Sequence, residues 1–167
     1  MDQMENQLSI RPALIEEAPI VLSLWQMSAI WLNSKSIYQW RPENFHLEQV
    51  IGFMSNGSDV YLAESNNEIV GTYMIMWSDP SIWEELDNDE SGYIHKFAVN
   101  RDHKGRGIGN YLLKSAEEQI KQKGKSLIRL DCMADNKRLN QYYVDYGFNF
   151  VKRADREGWS ANLYEKY

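Results

Sequence analysis

Cysteine is nearly absent from this 167-residue chain: Cys132 stands alone and cannot close an internal disulfide. Nothing else demands an oxidising compartment. No apolar run approaches the ~18 residues of a membrane-spanning helix. The opening Met1-Asp-Gln-Met-Glu is polar and acidic, unlike a secretory signal. Positive charge is also scarce. With 18 Lys and Arg against 24 Asp and Glu, the formal net charge of −6 argues against a general nucleic-acid or anionic-membrane binder. His46, His95 and His103 lack ligand spacing, so no metal site is visible. These absences leave a cytoplasmic globular protein without metal, nucleic acid or membrane as partner.

A chain of this length buries a core without covalent staples, and it reads as one domain over residues 1–167, with no repeat and no linker. Leu8 to Ala13 alternates as a first strand, and Glu16 to Leu32 has helical spacing at Ile20, Val21, Leu24, Met27 and Trp31. Pro19 is tolerable only in that helix's first turn. A shorter helix covers Phe45 to Met54. Val60–Glu64 and Ile69–Trp77 are strands joined by Ser65-Asn66-Asn67-Glu68, a hairpin signal. An acidic loop from Ser78 to Ser91 has a helical turn around Trp83. Then come strand Gly92–Val99, a helix from Ile108 to Lys123, strand Leu127–Cys132, helix Asn136–Tyr146, and a closing strand pair, Asn149–Ala154 and Ser160–Glu165. The buried stripe of the Ile108 helix is Ile108, Leu112, Ala116 and Ile120, with Leu113 beside it. The order, β-α-α-β-β-β-α-β-α-β-β, combines a hairpin region with one β-α-β crossover.

The most informative stretch runs from Tyr93-Ile-His-Lys-Phe-Ala-Val-Asn100 into His103-Lys-Gly-Arg-Gly-Ile-Gly-Asn110. A strand enters a turn with glycines at 105, 107 and 109, and the turn opens directly into a helix. Glycine lets backbone N–H groups approach a ligand unobstructed, and the helix start adds a positive dipole end. Phosphate or pyrophosphate suits such a cradle, and the basic cluster Arg101 to Arg106 marks the same place. It is not the dinucleotide fingerprint, because the third glycine comes one residue early and Asn110 occupies its slot. Nor is it a Walker loop, since no Gly-Lys-Ser/Thr follows.

A second constellation, Asp135-Asn-Lys-Arg-Leu-Asn-Gln-Tyr-Tyr-Val-Asp-Tyr-Gly-Phe148, follows a strand. Asn136 and Tyr143 project from nearly the same helix face, about 10 Å apart along the axis. Together the two segments resemble the GNAT superfamily of N-acetyltransferases. The family's coenzyme loop, Arg/Gln-x-x-Gly-x-Gly/Ala, is matched by Lys104-Gly-Arg-Gly-Ile-Gly109, with Lys104 in the first position. Its later helix, Asn-x-x-Ala-x-x-Leu-Tyr-Glu-Lys-x-Gly-Phe, is matched at Asn136, Tyr143, Gly147 and Phe148. Leu139, Tyr142 and Val144-Asp145 depart from that pattern. The resemblance runs in order from Leu8 to the C-terminus and is strongest over residues 93–148.

The resemblance implies an α/β fold of the α+β type: a mixed, mostly antiparallel, twisted sheet of seven strands flanked by four helices, splayed into a V for the coenzyme. It implies acetyl-CoA as cosubstrate and direct attack by a primary amine in a ternary complex. The backbone of Phe97, Ala98 and Val99 would grip the pantetheine arm, with the Phe97 N–H polarising the acetyl carbonyl. Backbone N–H groups of Gly105, Arg106, Gly107, Ile108, Gly109 and Asn110 would hold the pyrophosphate beside Lys104. Asn136 would hydrogen-bond the pantetheine; as a plain structural residue it would cap its helix, and both roles are compatible.

Tyr143 is the candidate acid for the departing sulfur. A phenol near ~10 and a thiol near ~8.5 are mismatched for full transfer, so a hydrogen bond to the thiolate is an alternative. Structurally, Tyr143 would be a packed aromatic beside Tyr142 and Tyr146. His95 is the candidate base, because an alkylammonium near pKa ~10.4 must lose a proton. Period-two alternation puts it on the face of Phe97, and His95-Lys-Phe-Ala-Val99 resembles a His-x-Leu-Ala-Val pattern of arylalkylamine N-acetyltransferases. Its rivals are Glu64, Asp131, a water chain, or no catalytic role at all.

The acceptor would be a small-molecule or peptide amine. Trp31, Trp40, Trp77 and Trp83, with Glu84, Glu85, Asp87, Asp89 and Glu90, would suit an aromatic cationic amine. The plainer reading, core tryptophans and a solvated acidic loop, is preferred. The rival functions are a non-catalytic acyl-CoA sensor on the same scaffold and a nucleotide-binding oxidoreductase domain. A homodimer is among the assemblies the resemblance allows, without a self-complementary patch to support it.

Overall fold

The computed structural model describes residues 8–38, 40–103 and 107–167. Seven strands form one open sheet in the order β1-β2-β3-β4-β5-β7-β6. They are β1 (Leu8–Pro12), β2 (Asp59–Ser65), β3 (Glu68–Met76), β4 (Ser91–Val99), β5 (Leu127–Met133), β6 (Asn149–Arg156) and β7 (Trp159–Lys166). The α-helices among the described residues are α1 (Ala18–Ser34), α2 (Leu47–Ser55), the single turn α3 (Pro80–Trp83), α4 (Ile108–Gln122) and α5 (Lys137–Tyr146). β4 and β5 pair in parallel, as the α4 crossover between them requires, whereas β1/β2, β5/β7 and β6/β7 are antiparallel. Every predicted element is present, with ends shifted by a few residues.

By compactness the chain divides into two units, Met1–Met74 with Lys96–Ala116 and Ile75–His95 with Glu117–Tyr167. In the first, Asn66 (φ 53) and Asn67 (φ 65) make the two-residue turn between β2 and β3, a left-handed pair that asparagine tolerates well. Pro19 lies in the first turn of α1, where its missing N–H costs nothing. The buried face of α1 differs from the predicted stripe. Ala18, Val21, Leu24, Trp25 and Ala29 are buried, whereas Ile20 and Met27 are 39% and 43% exposed. Small alanines let a helix seat closely against its neighbours, a preference that counting large apolar residues overlooks. Trp25 is fully enclosed and meets the edges of Phe45 and Phe53 at ring distances of 5.6 and 6.2 Å. Glycine at 71 allows a close approach: a Cβ there would lie 2.9 Å from Leu112 Cδ1 and 3.1 Å from the Ala98 carbonyl.

The second unit packs Trp83, Tyr93, Ala154, Ala161 and Leu163 into a core. Gly92 is demanded by packing, since a Cβ there would collide with the side chain of Ile120. The predicted stripe of α4 holds throughout: Ile108, Leu112, Leu113, Ala116 and Ile120 are all buried. Each buried leucine or isoleucine of the stripe contributes about 1.5–3 kcal/mol, and Ala116 less. The acidic segment after β3 is more ordered than a solvated loop. Asp79 and Trp83 are buried, Glu84 pairs with Arg156 at 2.7 Å, and Glu85 pairs with Lys152 at 3.2 Å.

Candidate active site

In the first unit, β4 ends at Val99 and Asn100 organises the exit. Its N–H donates to the Val70 carbonyl at 2.8 Å, and its Oδ1 accepts the Asp102 N–H at 3.0 Å. Lys104, Gly105 and Arg106 lie outside the described residues. Gly107 has φ +73, a left-handed backbone that favours glycine, and among the described residues no heavy atom beyond its chain neighbours lies within 4 Å of where a Cβ would stand. α4 follows at once, and Tyr111 N–H donates to the Gly107 carbonyl at 3.2 Å. A helix N-terminus entered through a left-handed glycine fits a phosphate group. Two members of the basic cluster are engaged elsewhere: Arg101 lies 3.6 Å over the Trp31 ring, and His103 Nε2 lies 3.1 Å from the Glu68 carboxylate.

Lys96 of β4 adopts φ 52, so the strand does not alternate regularly between His95 and Phe97, and the shared face predicted for those two residues loses its basis. The Lys96 ammonium lies 5.4–5.7 Å from the ring centres of Trp25, Trp40 and Phe45, an aromatic cage around an internal cation. Lysine carries no sequence signal for a left-handed backbone. Ala98 is buried, and Phe97 and Val99 are partly exposed.

In the second unit, the β4/β5 ladder consists of Ser91↔Leu127, Gly92↔Ile128 and Tyr93↔Arg129. Both strands continue beyond it, so Ile94 and His95 have left the pairing. His95 is 18% exposed, and its Nε2 lies 2.8 Å from Oδ2 of Asp79, whose side chain is 5% exposed. Glu64, a rival base, is committed in the first unit: Arg11 binds it at 2.7 Å and also grips Glu17 through two 2.7 Å bonds. Asp131 sits on β5 opposite Leu163.

Asn136 caps α5, its Oδ1 accepting the Leu139 N–H at 3.2 Å, so the structural role weighed for it is present. Tyr143 is 4% exposed, packed against Tyr142, Phe148 and Tyr164. Its hydroxyl makes no hydrogen bond among the described residues. Burial pushes its phenol well above the usual range, with Cys132, Tyr142 and Asp131 adding to the effect. Burial first, and Asp131 second, push the Cys132 thiol up to about 12, so it stays protonated and inert as a nucleophile. Asn140 was passed over in the sequence. It donates to the Asn136 carbonyl at 2.8 Å and accepts from Tyr164 Oη at 2.6 Å and Asn162 Nδ2 at 2.8 Å, tying the start of α5 to β7. An asparagine inside a helix was the one available hint.

Comparison with known proteins decides the family. Residues 24–148 match the model of the acetyltransferase (GNAT) family. The chain belongs to the GNAT family. It is 31% identical over 164 residues, 93% of this chain and 87% of the relative, to YesJ of Bacillus subtilis (strain 168), an uncharacterized N-acetyltransferase. A GNAT-family acetyltransferase from Listeria monocytogenes 4b F2365 superposes with a TM-score of 0.79 at 28% identity, covering 95% of this chain and 94% of that one. YncA from Salmonella typhimurium, solved with its cofactor acetyl-CoA, shares the fold at a TM-score of 0.72 and 14% identity, covering 96% and 94%. This GNAT chain is therefore an acyltransferase enzyme. Among its described residues no group of His, Cys, Asp or Glu is arranged to hold a metal ion, and no helix is long and apolar enough to cross a membrane.

Proposed function

We propose that this enzyme transfers the acetyl group of acetyl-CoA to a primary amine of a small molecule or peptide, by direct attack in a ternary complex. Residues 1–167 act as one acetyltransferase domain in this reading. The observation that carries it is the glycine turn at the head of α4, where Gly107 takes a left-handed backbone with the space of a Cβ open among the described residues, at the positive end of a helix. N–H groups from Gly105 to Asn110 would hold the pyrophosphate, with Lys104 supplying charge. Phe97, Ala98 and Val99 would present backbone to the pantetheine, joined by Asn136. When bound, acetyl-CoA supplies the activated acyl thioester.

The chain's own groups do the rest. The Phe97 N–H polarises the carbonyl that becomes an oxyanion. His95 takes the proton of the acceptor ammonium. Tyr143 meets the departing sulfur; with its phenol raised by burial, it donates a hydrogen bond rather than its whole proton. The inert Cys132 thiol supports direct attack over an acyl-cysteine route. A cytoplasmic setting belongs to the same reading and is supported by the single, buried cysteine.

Free-thiol release from acetyl-CoA across a panel of amines, beside acetyl-CoA calorimetry, tests this. Micromolar binding with release for one amine class is the expected result. Binding without release for any amine would favour an acyl-CoA sensor, and absence of binding would remove the coenzyme assignment.

A further inference from the structure

Asp79 stands between β3 and α3, in the position before a helical turn where an aspartate usually caps. Its side chain makes no capping bond. A buried carboxylate needs a partner, and this one is directed to His95 Nε2 at 2.8 Å. The backbone of Asp79 is pinned on both sides. Its N–H donates to Asp87 Oδ1 at 2.7 Å, and its carbonyl accepts the Trp83 N–H at 3.0 Å. Asp87 is itself anchored, with Oδ2 accepting from Ser78 Oγ at 2.8 Å. Burial opposes the charge on Asp87, yet bonds from the Asp79 N–H, Ser78 and Tyr93, with the charge of Arg129, keep its carboxyl below the usual range. Arg129 is fixed in turn by the Leu86 carbonyl at 2.7 Å, Tyr93 Oη at 3.0 Å and the face of Trp83 at 4.3 Å. The ionisable groups linked to the pair through these bonds are thus Asp87 from the loop, Arg129 from β5 and Tyr93 on β4 itself.

We infer that Asp79 is the positioning residue of His95, an inference that rests on the proposed role of His95 as base. A carboxylate only accepts, so the neutral imidazole carries its proton on Nε2 and presents the lone pair of Nδ1. In the proton step one N–H bond of the acceptor ammonium breaks and its electron pair stays on nitrogen. A new N–H bond forms at Nδ1. The resulting imidazolium lies against the Asp79 carboxylate, and Nδ1 returns the proton to water before the next turnover.

The test combines 15N NMR of the His95 ring in the full chain with thiol release, using whichever amine of the panel reacts fastest. The expected wild-type state is the Nε2–H tautomer. Asp79→Asn should disturb that tautomer and lower kcat by about 10–100-fold, with KM for acetyl-CoA within about twofold. Asp79→Glu should recover part of the loss, and Asp79→Asn should cost nothing further in a His95→Gln background. An equal cost in both backgrounds overturns the inference. So does a slowed His95→Gln beside a wild-type Asp79→Asn. A wild-type kcat in His95→Gln overturns the base assignment and this inference with it. If Asp79→Asn does not fold, the wild-type ring decides alone, since a proton on Nδ1 with a bare Nε2 contradicts the assignment.

Discussion

In the proposed mechanism the two compact units contribute chemistry in different materials. The first offers main chain: the left-handed Gly107, the N–H groups opening α4, and the strand residues after Lys96. The second offers side chains: His95 against Asp79, and the buried phenol of Tyr143. A backbone site tolerates changes of side chain but not the addition of a Cβ or a change of φ. A side-chain site fails when one polar atom is removed, even though the fold around it stands. The two units should therefore fail in different observables, the first in coenzyme affinity and the second in turnover.

The largest expected effect is in the second unit. Tyr143→Phe deletes one hydroxyl from a packed ring and should lower kcat by about 10²–10³-fold while the melting temperature holds. A loss under threefold would return Tyr143 to a packing role. His95→Gln should cost about 10–10²-fold, most at mildly acidic pH, where base assistance to the ammonium matters most. A pH–rate profile identical to wild type would remove His95 from the mechanism.

In the first unit, Gly107→Val forces a branched side chain into φ +73 at a cost of about 1–2 kcal/mol, which should weaken acetyl-CoA binding by roughly tenfold. Unchanged affinity would mean the turn does not carry the coenzyme.

The smallest effect concerns stability alone. Hydrogen bonding from Arg11 holds the Glu17 carboxyl at about 2, below its ordinary 4.5. Since the folded value is the depressed one, this contribution is complete above pH 4.5 and lost as pH falls towards 2. Glu17→Gln should cost about 0.2–1 kcal/mol at neutral pH and flatten the acid side of the stability profile. A profile unchanged between pH 5 and 2 would show the pair to be idle.

The contrast between the units also explains what was legible in the sequence. Glycines announce special backbone, and Gly107 takes the left-handed conformation that the turn before α4 suggests, while Lys104, Gly105 and Arg106 lie outside the described residues. The stripe from Ile108 to Ile120 was read whole because large apolar residues mark it at every turn. In α1 the deepest positions include Ala18 and Ala29, which carry little hydrophobic signal, and the face was misjudged. Lys96 was invisible as a strand irregularity, because its φ of 52 is set by tertiary surroundings rather than by lysine. Asp79 passed for one more acid in a polar loop. Its partner lies 16 residues away, and only folding joins them. Side-chain chemistry depends on such pairings, which no local pattern records.

The most direct test of the division between backbone cradle and side-chain chemistry is acetyl-CoA calorimetry on wild type, Gly107→Val and Tyr143→Phe. The account predicts a roughly tenfold weaker Kd for Gly107→Val and a Kd within about twofold of wild type for Tyr143→Phe. Wild-type binding by Gly107→Val, with affinity lost in Tyr143→Phe, would contradict it.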